Sequence, residues 1–442
     1  MRGLVLRNCW NAALIRFESG TEGDRRAAAE LFERYTGELG GVRDASRARL
    51  FAAEAWFGLG DLGRALARFG EVVVEELPAE EREHALRGEV LAHQSLARPD
   101  DGFARAAFRY ATAYPESEEA KKALLLAAER EETAGRLASA LDLCALAART
   151  EDPVLRGEAE ARAGRLAAAA NDRAAAETWY LRAAQSAPTE SDRLARLERA
   201  AASAFLIAGD AVAAGRPEEA AEQYARVFRD YRGTSVGSDA LLGEIACRAA
   251  FDAEERVVPL ADTAAVLLAG SERANAALGE AAEAAARADR LLLAARLHDA
   301  AHRTLPRAES LLGAGAAYEA AGANDTALAR YESAAALAAG TPLASEAFAR
   351  LGGCLDADGG DARAALAFDR ALETGDGSRE VEFLSRAGAC YLETSDLKKA
   401  KERFARAVEK ARSGAAPTPA EELYGAKALL GMARVLRGPF EE

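Results

Sequence analysis

The chain has 442 residues, half of them hydrophobic and 29% charged, so it can bury a core and is too apolar for a disordered chain. Its 57 Lys and Arg stand against 71 Asp and Glu, a formal net charge of −14 that argues against a general binder of nucleic acid or anionic membranes. Only 12 residues are proline, about half the average share, which favours long helices over loop-rich β architectures.

The longest uncharged stretch, Ser333–Ser345, is 13 residues and contains Gly340-Thr341-Pro342, whereas a membrane span needs ~18 or more apolar residues. At the N-terminus Arg16 and Glu18 arrive before an apolar region of signal-peptide length. The expectation is a cytoplasmic protein, with the periplasm as the alternative if a leader precedes the sequence. Cys9, Cys144, Cys247, Cys354 and Cys390 are scattered and include no C-x-x-C pair, which fits reduced thiols better than disulfides or a zinc site. Cys354 and Cys390 are 36 residues apart in equivalent positions. Packed helix axes ~8–10 Å apart would keep them as separate thiols.

In chain order, one pattern recurs: Ala, an aromatic four residues later, then a small residue three further on. It runs through Ala28/Phe32/Tyr35, where the last slot is not small, Ala65/Phe69/Val72, Ala104/Phe108/Ala111, Ala140/Cys144/Ala147, where Cys takes the aromatic place, Ala176/Tyr180/Ala183 and Ala220/Tyr224/Val227. It resumes at Ala327/Tyr331/Ala334, Ala364/Phe368/Ala371 and Ala400/Phe404/Ala407. The central positions from Phe32 are spaced 37, 39, 36, 36 and 44, and later 37 and 36. The gap between Tyr224 and Tyr331 leaves room for two weaker copies, one at Ala294/His298/Ala301 and one around Leu260, giving about eleven units.

A small residue precedes the central position by 16 in several units, as at Ala53, Ala128, Gly164, Gly315, Gly352 and Gly388. Gly243 and Gly279 extend that series through the weak units. The marked residues of each segment share one helix face. Small residues let two helices approach, an aromatic fills the gap to the next pair, and stacked pairs share one continuous core.

Leu311, Ala314, Gly315, Tyr318, Ala327, Tyr331 and Ala334, with their counterparts from Phe348 to Ala371 and from Leu384 to Ala407, resemble the tetratricopeptide repeat family over nearly the whole chain. The resemblance implies an all-α, right-handed α-solenoid of about eleven helix-turn-helix units, closed by a capping helix at Glu421–Arg437. It also implies a non-catalytic scaffold that binds proteins or peptides on the concave side lined by the first helices. The expected organisation is an N-terminal array over 1–188, an irregular segment over 189–270, and a C-terminal array with its cap over 271–442. The 44-residue step predicts a lengthened helix or turn within Ser191–Gly215, and Pro259 stands where a helix should run. Phe108, Tyr114-Pro115-Glu116-Ser117, Ala120 and Ala123 are similar to repeats of bacterial cell-envelope proteins, so a self-associating envelope assembly factor is the alternative function.

A third reading, a metal-dependent hydrolase, rests only on His298-Asp299-Ala300-Ala301-His302, whose histidines have the i, i+4 spacing of zincins. The helix has Asp where a zincin has Glu, and His298 falls in the aromatic slot, so no catalytic or metal residue and no cofactor is assigned. Asp356-x-Asp358-Gly359-Gly360-Asp361 lacks the Glu that an EF-hand needs at its twelfth position, which is Ala367.

The candidate partner-binding residues are carboxylates on the first helices, one and four places beyond the small residue. They are Glu54, Glu89, Glu129, Glu132, Glu244, Glu280, Glu283, Glu319 and Asp356. Positions one and four beyond a common point lie on one face, so the set could form an acidic ladder for a basic protein segment; the competing reading is an ordinary solvated face. No nucleic acid and no membrane span is expected, and self-association stays open.

Overall fold

The computed structural model describes residues 2–37, 44–96, 101–375, 377–413 and 418–437. Among the described residues there are 23 α-helices, a short 3-10 turn at Val74–Glu76 and no strand. The first are α1 Arg2–Ser19, α2 Glu22–Thr36, α3 Ala45–Gly58, α4 Leu62–Phe69, α5 Ala79–Ser95 and α6 Asp101–Ala113. Next come α7 Glu118–Thr133, α8 Leu137–Ala147, α9 Pro153–Ala169, α10 Arg173–Gln185, α11 Glu190–Ala213 and α12 Pro217–Asp230. Then follow α13 Ser235–Arg248, α14 Glu254–Leu267, α15 Glu272–Arg287, α16 Leu291–Thr304, α17 Ala308–Ala320 and α18 Asn324–Leu337. The last are α19 Pro342–Ala357, α20 Asp361–Thr374, α21 Glu380–Glu393, α22 Leu397–Ser413 and α23 Pro419–Arg437. None of the described helices is long and apolar enough to cross a membrane.

Two compact units, residues 1–207 and 208–442, divide within α11. Inside each unit a helix packs chiefly on its predecessor and successor, so the fold is an all-α solenoid of helix pairs. Local sequence sets the ends. Ser117, Asp152, Asp172, Thr234 and Ser271 cap the helices that follow them, each accepting a hydrogen bond from a backbone N–H of the first turn. The turn inside most pairs places one residue in the left-handed region. Gly322 and Gly359 take it without a side-chain penalty, and Asn171, Asp289 and Ser395 take it at φ 61°, 58° and 65°.

The pairing of small residue with aromatic is a physical contact. A Cβ on Gly164, Gly315, Gly352 or Gly388 would lie 2.6–2.9 Å from the ring of Tyr180, Tyr331, Phe368 or Phe404 respectively, the aromatic 16 residues on. Each ring is buried against a glycine whose missing side chain makes the room. Some rings also meet the next first helix: Phe404 lies against Gly431, and Phe69 against Gly88.

Four details differ from the sequence expectations or refine them. Phe108 is 52% exposed, and α6 buries Phe103, Ala107 and Tyr110 instead, a rotation of the apolar face away from the Ala104/Phe108 frame. Gly279 has nothing within 4 Å of its Cβ position, while Gly243 packs on Tyr224 of the preceding pair, so neither glycine faces a ring of its own unit. The 44-residue step is taken up by α11, a helix of 24 residues. Pro259 does not end a helix: α14 runs through it. This helix packs mainly on α16, less on α13 and hardly on α15, and α13 meets α15 directly. Arg248 ties the end of α13 to the loop before α14, lying 2.8 Å from Glu244 and 2.6 Å from Asp252, and Arg290, just before α16, donates to the Ala249 carbonyl at 2.7 Å.

Candidate protein-binding surface

The nine carboxylates expected to form a ladder occupy different environments. Glu89 and Glu244 are buried, Glu129, Glu280, Glu283 and Asp356 are exposed, and Glu54, Glu132 and Glu319 lie between. Most have a partner. Glu54 is 2.6 Å from His84, Glu89 is 3.2 Å from Arg109, and Glu283 is 3.8 Å from Arg287. On α7, Glu129 and Glu132 face Arg162 and Arg165 of α9 at 3.4 and 3.9 Å. Glu319 accepts a 2.6 Å hydrogen bond from the Tyr331 hydroxyl, and Asp356 is 3.7 Å from Arg386. Burial pushes the Glu54 and Glu244 carboxyls above their ordinary range, against the pull of His84 and Arg248. Arg165 stands directly after Gly164, the place where other first helices carry Glu, and pairs in space with Glu132 of α7. Glu280 follows Gly279, the glycine outside the ring-packing frame, and has no ionic partner among the described residues.

His298 is half-buried in the aromatic slot, its ring against Gly313. Burial holds its pKa below the ordinary histidine value, which keeps the imidazole neutral near pH 7. The intervening acid serves the fold: Asp299 takes a bidentate hydrogen bond from Arg330 at 2.7 and 3.0 Å and another from the Tyr318 hydroxyl at 3.0 Å. The same triad recurs at Asp369, with Arg403 at 2.8 and 3.1 Å and the Tyr391 hydroxyl at 2.8 Å. Asp356, Asp361 and Cys390 bring their ligand-type atoms within 4.8 Å of one another. The buried Cys390 thiol is pushed up to about 12, chiefly by burial, so it is protonated at neutral pH. All five cysteines are free thiols.

On the first-helix side, α19, α21 and α23 border a cleft of about 490 Å³. α21 lines it with Ser385, Ala389 and Leu392, and α23 with Tyr424, Leu430 and Gly431. Phe404 forms part of its floor, wedged between Gly388 and Gly431. Arg386 stacks on Phe368 at 4.5 Å while facing Asp356. Lys427 lies 4.9 Å from the centre of the Tyr424 ring, and among the described residues neither Lys427 nor Arg434 has a carboxylate partner. The cleft thus joins an apolar floor to three cations and two acids, Asp356 and Glu393. Of its five charged residues, only Asp356 was singled out in the sequence. A signal was there: five of the seven lysines fall between Lys398 and Lys427.

No family model and no curated protein matches the chain. Among solved structures, the crystal structure of the APC/C hetero-tetramer Cut9-Hcn1 aligns over 98% of this chain and 96% of that one, at 12% identity and a TM-score of 0.28.

Proposed function

We propose that this chain is a tetratricopeptide-type scaffold without catalysis of its own, which binds a protein or peptide segment on the first-helix surface formed by α19, α21 and α23. The observation that carries this reading is the cleft on that surface, where an exposed leucine, a half-exposed tyrosine and unpaired cations border the same space. Apolar anchors rimmed by charge are the usual anatomy of a protein-recognition site. The buried parts of the repeat support it differently: glycines, rings and Arg–Asp–Tyr triads are spent on holding pairs together, and the carboxylates of the first helices are mostly answered by arginine or histidine. The test is affinity capture from the native host with the wild-type chain and with Leu430→Asp. A discrete set of proteins retained by the first and lost from the second supports the reading. Identical capture by both, or recovery of the chain alone, counts against it.

A further inference from the structure

We propose that the outer face of α23 receives an amphipathic helix of a partner protein whose apolar stripe is edged by Asp or Glu, an inference that rests on the scaffold reading above and names the chemistry of its partner. α23 turns Ala428, Gly431, Met432 and Val435 toward α21 and α22. At 100° per residue, Leu423, Ala426, Leu430 and Ala433 fall on the opposite side of the helix. All four are exposed, the two leucines at 52% and 59%. They sit at i, i+3, i+7 and i+10, the spacing of a helix-packing seam, and they alternate large with small. A second helix can approach closely along the alanines while the leucines fill its grooves.

The edge of this stripe identifies the occupant. Lys427 and Arg434 follow Leu423 and Leu430 by four residues each, so both border the stripe on its cleft side. Both are exposed, and neither has an acid partner among the described residues. Two copies of α23 laid antiparallel along this seam would set these cations against each other, a like-charge arrangement that specific interfaces avoid. A partner carrying Asp or Glu beside its apolar stripe pairs with both. The net charge of −14 does not prevent this, because screening over ~8 Å at physiological salt limits the reach of distant acids; of the two acids in the cleft Asp356 faces Arg386, and Glu393 leaves Lys427 and Arg434 in excess.

The test uses the full chain and two synthetic helical peptides with the same Leu/Ala stripe, one edged with Glu and one with Lys, followed by fluorescence anisotropy. The Glu-edged peptide is expected to bind about tenfold tighter or better, with the gap narrowing as salt rises. Lys427→Glu with Arg434→Glu should reverse the preference, and Leu430→Asp should weaken both peptides, with circular dichroism showing each variant as helical as the wild type. Equal binding of the two peptides, or preference for the Lys-edged one, overturns the acidic partner; if Leu430→Asp still abolishes that binding, the scaffold reading stands. Binding of neither peptide overturns the proposal too, and sedimentation then separates its cause. A dimer that Leu430→Asp dissociates would show a second copy to be the occupant.

Discussion

Gly279 and Gly315 are both glycines inside helices of the same array, yet a methyl group added to each meets different surroundings. At Gly315 it would lie 2.6 Å from the ring of Tyr331, which is fully buried and tied to Glu319. Overpacking of that kind costs ~1–3 kcal/mol, and it outweighs the ~1 kcal/mol that alanine gains over glycine in a helix. At Gly279 the space is open, so only the propensity gain remains. Gly315→Ala should therefore lower stability by about 1 kcal/mol and Gly279→Ala should raise it by roughly 0.5–1 kcal/mol, checked by denaturant midpoints. Glu131 offers a pH test. Arg136 grips it at 2.7 and 2.6 Å and, against its burial, holds the carboxyl below the ordinary value of 4.5. A folded pKa below the unfolded one means that the contribution is complete above 4.5 and lost as pH falls through the folded value. The Tm difference between wild type and Glu131→Gln should be largest near neutrality and shrink in acid; a difference constant with pH would show that the ion pair contributes nothing.

Between elements, the joints from one pair to the next are made by rings and by arginine. The Asp369–Arg403–Tyr391 triad links α20 to α21 and α22, with both charged side chains less than a fifth exposed. Charge-assisted hydrogen bonds in such a setting contribute ~1.5–3 kcal/mol. Arg363 and Glu332, also from adjacent second helices, are both more than half exposed, where a pair is worth ~0–1 kcal/mol. Double-mutant cycles should give a coupling near 2 kcal/mol for Asp369 with Arg403 and less than about half of that for Glu332 with Arg363; equal couplings would mean that burial does not decide between them. The ring-and-glycine frame was legible in the sequence because it depends on size at fixed spacing, as Gly352 and Phe368 show. The triad was also present as a pattern, Asp directly after one ring slot (Asp299, Asp369) and Arg directly before the next (Arg330, Arg403), but charge on a helix reads as a solvated face until its neighbour is known. Phe108 misled because α6 offers two apolar faces one residue apart, and only packing chooses between them. The surface of α23 stayed hidden for a related reason: Leu423 and Leu430 read as core until the helices that cover the other side are in place.

At the scale of the whole molecule, a solenoid has no single core whose loss unfolds everything. Each helix owes its stability to its immediate neighbours, so openings can be local. Within residues 208–442, α14 has the weakest claim to such support. It packs mainly on one side, against α16, and carries Pro259 in its interior, where the missing N–H and the ring clash cost ~3 kcal/mol. The array does not depend on it, because α13 packs directly on α15, and Arg290 bonds to the carbonyl of Ala249 just beyond α13. Opening α14 therefore gives up few contacts and leaves its neighbours paired. Hydrogen exchange followed by mass spectrometry should show the amides of Glu254–Leu267 exchanging well ahead of those of α13, α15 and α16. Pro259→Ala, at an exposed position, should slow exchange across α14 alone. If α14 instead exchanges together with α13, α15 and α16, the four helices open as one cooperative block and the direct α13–α15 contact is too weak to carry the array by itself.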